Sequence, residues 1–201
     1  MPVPAIILAA GASHRLGQPK QLVQIDDEML LERTIRIALE SIADPIFVVL
    51  GANAGKIQEL VDMRRVHVFI NQDWEQGIAS SIHIGVESLV QRVPDISALM
   101  ILVCDQPKLT SNHLQALVEA YKQHGGTCIV ASQYGNVIGI PAIFPQSQFA
   151  NLLKLQGDSG ARHLLRDPSC SVIALPFYGG EEDIDTPVDL AALQKRMENE
   201  S

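Results

Sequence analysis

The stretch richest in chemistry is LAAGASHRLGQPKQL, residues 8–22, a polar loop directly after an apolar run. Ala9, Ala10, Gly11 and Ala12 are small enough for a ligand to approach the backbone, and loop N–H groups can cradle an anion. Arg15 and Lys20 add two cations five positions apart. A guanidinium grips phosphate through two parallel hydrogen bonds, and an ammonium acts as a mobile point charge. Glycine, Arg15 and Lys20 after a first strand make a candidate triphosphate clamp, though a solvated surface loop carries the same residue types. Two named phosphate loops do not fit. Gly11 and Gly17 are six apart and Gln18-Pro19 follows, which breaks the Walker A spacing. Ser13 stands where the dinucleotide pattern Gly-x-Gly-x-x-Gly has its second glycine.

Two carboxylates are candidate partners for this loop. Asp105 directly follows the apolar run SALMILVC, and a carboxylate at a strand's carboxyl end can hold Mg²⁺ together with substrate phosphates. It could equally cap the turn Asp105-Gln106-Pro107. Asp185 precedes Thr186-Pro187, where it is a second candidate metal ligand or a helix N-terminal signal. The rest of EEDID, residues 181–184, reads as a solvated acidic run. Trp74, the single tryptophan, lies in the polar segment NQDWEQGIASS, which suggests a packing or ligand role. Ser80 and Ser81 in that segment could meet a base edge or cap a helix, and capping is the simpler reading. In GDSGAR, residues 157–162, Asp158 or Ser159 could cap a helix, and Arg162 could reach an anionic substrate or face solvent. The six histidines show no metal-ligand spacing, and there is no Gly-x-Ser-x-Gly nucleophile elbow.

The elements that must position these residues alternate. Val3–Ala9, Ile46–Leu50, Val66–Ile70, Ser97–Val103 and Cys128–Ala131 are short apolar runs expected as strands. Helical spacing spans Leu30 to Ile42, Ile57 to Val61, Ile78 to Val90 and Ser111 to His124, with Gly125-Gly126 as a stop. The near-continuous apolar character of SALMILV is that of a strand covered on both faces. The expectation is a three-layer, Rossmann-like α/β fold, a mostly parallel sheet with helices on both faces and ligands at the carboxyl ends of its strands. From Gly135 to Gly157 the alternation weakens, which predicts an excursion from the main sheet. Val172–Leu175 should return to it, and Pro187 should open a closing helix.

Composition fits one domain over residues 1–201: 47% hydrophobic and 19% charged residues suit a packed core. A net charge of -8 speaks against nucleic acid as a partner, since a phosphate backbone needs a continuous basic face. It leaves room for a small phosphorylated ligand held by local cations. No apolar run reaches the length of a membrane span and no leader pattern opens the chain, so a cytoplasmic protein without a membrane partner is expected. Cys104, Cys128 and Cys170 are odd in number and far apart, as free thiols would be.

Taken in order, LAAGASHRLGQPKQL, NQDWEQGIASSI, VCDQP, GIPAIF, GDSGARHLL and DIDTPVDL resemble the MobA-like nucleotidyltransferases over residues 5 to about 193. The molybdenum cofactor cytidylyltransferase branch is the nearest, with LAAG in place of the guanylyl branch's LAGG. The resemblance implies Mg²⁺-assisted transfer of a nucleoside monophosphate, CMP from CTP, to a small phosphorylated acceptor such as molybdopterin, with release of pyrophosphate. It gives Gly11, Ala12, Arg15 and Lys20 to the phosphates, Arg15, Lys20 and Asp105 to catalysis, Asp105 and Asp185 to the metal, and Ala9, Ala10 and Ser81 to the base. Trp74, Gly139, Pro141, Asp158 and Arg162 fall on the acceptor side. Leu16 replaces the family's usual Met, and Gly139-Ile140-Pro141-Ala142 departs from Gly-Asn/His-Pro-Val, which leaves the acceptor open. PKQL also resembles the cytidylyltransferase of the methylerythritol phosphate pathway. A sugar-phosphate nucleotidyltransferase and a non-catalytic nucleotide-binding protein are the other readings.

Overall fold

The structure, a computed structural model, describes residues 3–41 and 43–200, with side chains described as far as residue 195. The first apolar run forms β1 (Ala5–Ala9), and a small hairpin follows as β2 (Gln24–Ile25) and β3 (Glu28–Met29). Further strands are β4 (Ile46–Leu50), β5 (His67–Ile70), β6 (Ala98–Val103), β7 (Ile129–Tyr134), β8 (Val137–Pro145) and β9 (Val172–Pro176). The helices are α1 (Leu30–Glu40), α2 (Ala54–Leu60), α3 (Ile78–Arg92), α4 (Ser111–Gln123), α5 (Phe149–Leu152), α6 (Arg162–Leu165) and α7 (Pro187–Glu200). Ile42, expected at the end of the first helix, lies outside the described residues.

Seven strands make one sheet in the order β5-β4-β1-β6-β8-β7-β9. The pairs of β1 with β4 and β6, of β4 with β5 and of β7 with β9 are parallel, and β8 alone runs the other way. Alternation of side chains across the pleat feeds two cores. Ala5, Ile7 and Ala9 of β1, with Met100 and Leu102 of β6, join residues of α1 and α4 on one face. Ile6 and Leu8, with Leu99 and Ile101, join residues of α3, α5 and α6 on the other. Both faces are dry, which is why these strands read as unbroken apolar runs. Among the described residues no helix is long and apolar enough to cross a membrane.

The expected excursion after Tyr134 is corrected over residues 137–145. Gly135, at φ +57°, supplies the left-handed backbone at the first central position of a two-residue turn, and the chain reverses into β8. Ala142, Ile143 and Phe144 are fully buried, so the segment belongs inside the sheet, between β6 and β7. Only residues 146–171 leave it, through α5 and α6.

Helix α3 lies so close to β1 that a Cβ on Gly85 would meet Ile6 Cγ2 at 2.7 Å. Helix propensity favours Ala over Gly by about 1 kcal/mol, but overpacking a core costs about 1–3 kcal/mol. The branched Ile6 is fully buried and held in the sheet, so overpacking wins. Gly85→Ala should lower the thermal unfolding midpoint; a raised midpoint would refute this packing account.

Candidate active site

The carboxyl ends of the neighbouring strands β1 and β6 open into a cavity of about 560 Å³, within the range of small-ligand sites. Ala9, Ala10, Gly11, Ala12, Lys20, Trp74, Ser81, Asp105 and Asp158 all line it, so nine of the expected site residues meet there. The loop after β1 is held from behind. Gln21, itself buried, donates through Nε2 to the carbonyls of Ala9 (2.7 Å) and Gly11 (3.0 Å), and Ala52 N–H donates to Ala10 O (3.0 Å). Three successive carbonyls are thereby fixed. Ser13, at φ +56°, turns the chain and accepts the Lys20 N–H on its Oγ at 3.0 Å. The space a Gly11 Cβ would enter is open.

Lys20 Nζ sits between two carboxylates, 2.8 Å from Asp105 Oδ2 and 2.7 Å from Asp185 Oδ1. Arg15 Nη2 closes on the other oxygen of Asp185 at 2.6 Å. Asp105 leaves the end of β6, and its carbonyl accepts the Ile184 N–H at 3.2 Å, which ties the DIDTP segment to the strand. Behind the ions, Leu16 packs with Ile184 and Leu193 in a separate apolar cluster. Ile184 is therefore no member of a solvated acidic run. Helix α7 starts at Pro187 as expected, and its cap is built by Thr186 and Asp189. Asp189 Oδ2 accepts the Thr186 N–H (2.8 Å), and Thr186 Oγ1 accepts the Asp189 N–H (3.3 Å). Asp185 is thus relieved of capping, and its side chain faces the cations.

Charge follows from this geometry. Burial alone would lower the Lys20 pKa, but Asp105 and Asp185 outweigh it and raise it above the ordinary lysine range. Burial would raise Asp185, yet Lys20 and Arg15 hold its carboxyl below the usual range. Asp183 is pushed up to about 6, first by enclosure and then by the negative charge of Asp105 and Asp185. Cys104 is a buried thiol pushed up to about 12 by burial, as an inert core neighbour should be. Among the described residues no cluster of three or more His, Cys, Asp or Glu could hold a metal. Two hard oxygen donors at the mouth of a cavity nevertheless fit Mg²⁺, which takes one or two carboxylates and completes its shell with substrate phosphates and water.

Several expectations change. Neither Ser80 nor Ser81 caps α3: Asn71, fully buried, donates from Nδ2 to Ser80 Oγ (2.8 Å) and Ser81 Oγ (2.9 Å). Asn71 is thus the unforeseen hub that turns Ser81 toward the cavity. Neither Asp158 nor Ser159 caps α6. Gly77, at φ +99°, packs against the Gly157–Asp158 backbone, and Ala79 N–H donates to Gly157 O at 3.1 Å, so α3 brings Asp158 to the cavity. Trp74 is half-buried at the rim, 6.5 Å between ring centres from His14.

Gly139, Pro141 and Arg162 do not line the cavity, nor do Arg15 and Asp185, which join it only through the ion pairs that link Arg15 to Asp185 and Asp185 to Lys20. Arg162 donates to Tyr134 Oη at 2.8 Å and lies over the same ring. The Tyr134 hydroxyl occupies the space that a Cβ on Gly139 would need, so this glycine makes room for the tyrosine. Pro141 O accepts from Ser132 Oγ at 2.7 Å, and Ser132 contacts His113 Nε2 at 2.8 Å. Tyr134, Gln21 and Asn71 were missed because their roles depend on partners outside their own elements, which no spacing pattern marks; KQL placed Gln21 beside Lys20, the one local hint.

An open α/β sheet with cations and paired carboxylates at the carboxyl ends of its central strands is the frame of an enzyme that handles phosphorylated ligands. The chain belongs to the MobA-like NTP transferase domain family, whose pattern matches residues 5–172. It is 28% identical over 202 residues to the purine catabolism protein PucB of Bacillus subtilis, covering 96% of each chain. It is 26% identical over 192 residues to the nicotine blue oxidoreductase of Paenarthrobacter nicotinovorans, covering 92% of each. A probable molybdenum cofactor guanylyltransferase of Synechococcus elongatus is 31% identical over 114 residues, covering 56% of this chain and 55% of that one. The crystal structure of Rv0371c from Mycobacterium tuberculosis superposes with a TM-score of 0.85 at 27% identity, covering 97% and 99%. That protein has also been crystallised as a manganese complex.

His113 makes one pH dependence explicit. Ser132 has a single hydroxyl proton, which goes to Pro141 O, so His113 Nε2 must carry a proton and donate to Ser132. Burial lowers the imidazole from 6.5 to about 4, so the folded protein keeps it neutral. Its contribution to stability is then fully present above about 6.5 and is lost as pH falls toward 4. The unfolding midpoint of His113→Gln, measured from pH 7.5 to 4.5, should fall less steeply than that of the wild type. Parallel curves would contradict a buried neutral imidazole.

Proposed function

We propose that the protein transfers CMP from CTP to a small phosphorylated acceptor such as molybdopterin, with Mg²⁺ as cofactor and release of pyrophosphate. The observation that carries this is the Lys20 ammonium within 2.8 Å of both Asp105 and Asp185 at the mouth of a cavity floored by Ala9–Ala12. In this reading Gly11, Ala12, Arg15 and Lys20 hold the triphosphate, and Ala9, Ala10 and Ser81 surround the base. Asp105 and Asp185 hold Mg²⁺, whose contribution is charge neutralisation on the phosphate oxygens. Manganese in the Rv0371c complex supports a divalent cation in this fold. An acceptor phosphate oxygen attacks the α-phosphorus in line; the new O–P bond forms as the bond to the β-phosphate oxygen breaks. The electron pair leaves with pyrophosphate. Because the nucleophile is an anion, no general base is required, and the side chains act by positioning and by offsetting charge. Trp74 and Asp158 at the cavity rim suit the acceptor side, and Arg162, held by Tyr134, offers an outlying cation to the acceptor's phosphate.

LAAG at residues 8–11 supports cytidine over guanosine. A second reading, guanylyl transfer, is favoured by the similarity to the Synechococcus guanylyltransferase. Pyrophosphate release from CTP, GTP and UTP, each with molybdopterin, methylerythritol phosphate and sugar phosphates, separates these readings; CTP with molybdopterin should give the fastest turnover. Lys20→Ala and Asp105→Ala should each lower that turnover on the order of 10²–10³-fold. Near-wild-type turnover in either variant would sink the assignment.

A further inference from the structure

Asp185 has no free oxygen: Oδ1 accepts from Lys20 and Oδ2 from Arg15. Asp105 has one oxygen on the same Lys20 ammonium. A divalent cation shared by the two carboxylates requires oxygens at about 2.0–2.1 Å, and at the two oxygens that Lys20 bridges it competes with the ammonium for the same position. The two cations holding Asp185 are not equivalent. The Arg15 side chain is 71% exposed, where solvent and salt weaken an ion pair, but that of Lys20 is only 15% exposed. The Lys20 backbone is pinned by its N–H to Ser13 Oγ and by Val23 N–H on its carbonyl, so only the flexible side chain is free to leave.

We propose that Lys20 is the resident counter-cation of the Asp105–Asp185 pair, so that the pair takes up a divalent metal only together with a triphosphate that draws Lys20 away. The inference rests on the metal-binding reading of those two aspartates given above. It assigns Lys20 two alternating partners, carboxylates without nucleotide and phosphates with it. Metal and triphosphate then each remove an obstacle to the other, and their affinities must rise by the same factor.

Mn²⁺ binding followed by the electron paramagnetic resonance of the free ion tests this without turnover. Without nucleotide, Lys20→Gln should bind Mn²⁺ at least about tenfold more tightly than the wild type, because one positive charge no longer holds the site. Lys20→Arg, which keeps the cation, should stay weak, and Arg15→Gln should change affinity much less than Lys20→Gln. Thermal unfolding checks that each variant is folded, with Lys20→Met as the alternative neutral replacement. Equal or weaker nucleotide-free binding by folded neutral variants would overturn the counter-cation role while leaving the metal pair intact. If neither wild type nor variant binds Mn²⁺ even with millimolar CTP, and Asp105→Asn changes nothing, the metal reading itself fails.

Discussion

One ammonium bridges two carboxylates that reach it from 85 and 165 residues away. The rest of the site is organised around that requirement. Two partly buried aspartates side by side repel each other, and only a cation between them makes their approach tolerable. To deliver it, the loop after β1 must turn at Ser13 and bring Lys20 beneath the end of β6. The DIDTP segment must also return to the sheet, which the hydrogen bond from Ile184 to Asp105 achieves. Apolar packing holds the same arrangement: Leu16 and Ile184 flank the ion cluster in sequence and meet behind it. Packing thus holds two of the three segments that charge joins, and the Ile184 hydrogen bond ties in the third, so the carboxylates stay close without relying on an exposed ion pair alone.

The half of the site carried by β1 and β6 was legible because it is local. Both strands are apolar runs, and the candidate chemistry follows directly at their carboxyl ends, so LAAG, Arg15, Lys20 and Asp105 could be read from position along the chain. Asp185 was visible only as a carboxylate before a helix. Its release from capping depends on Asp189 taking over that task, a partnership that the spacing Thr186-x-x-Asp189 carries. The half beyond β6 was less legible, since Gly135 and Pro141 resemble loop signals until β8 is seen to be buried on both sides. Serine hydroxyls near a helix start look like caps, and only the buried Asn71 amide shows them committed elsewhere.

Glycines at two points do opposite work. Gly77 lets its backbone touch that of Gly157, which couples the start of α3 to the loop carrying Asp158. Gly139 yields its volume to an aromatic ring from the neighbouring strand. Flexibility is the wrong word for either. At Gly77 and Gly139 alike, a missing methyl group allows a tighter fit.

The reversed strand β8 has a geometric result of its own. Because β7 runs parallel to β1 and β6, its hairpin turn with β8, at Gly135-Asn136, emerges on the same edge as the ligand cavity. Tyr134, which holds Arg162, is the last residue before that turn. A two-residue turn is a point where a chain can lengthen or shorten without disturbing the pairing on either side. The fold therefore carries an adjustable hairpin on the same edge as a fixed floor: insertions there would alter the sheet's edge beyond the cavity, while the loop, the lysine and the two aspartates kept their places.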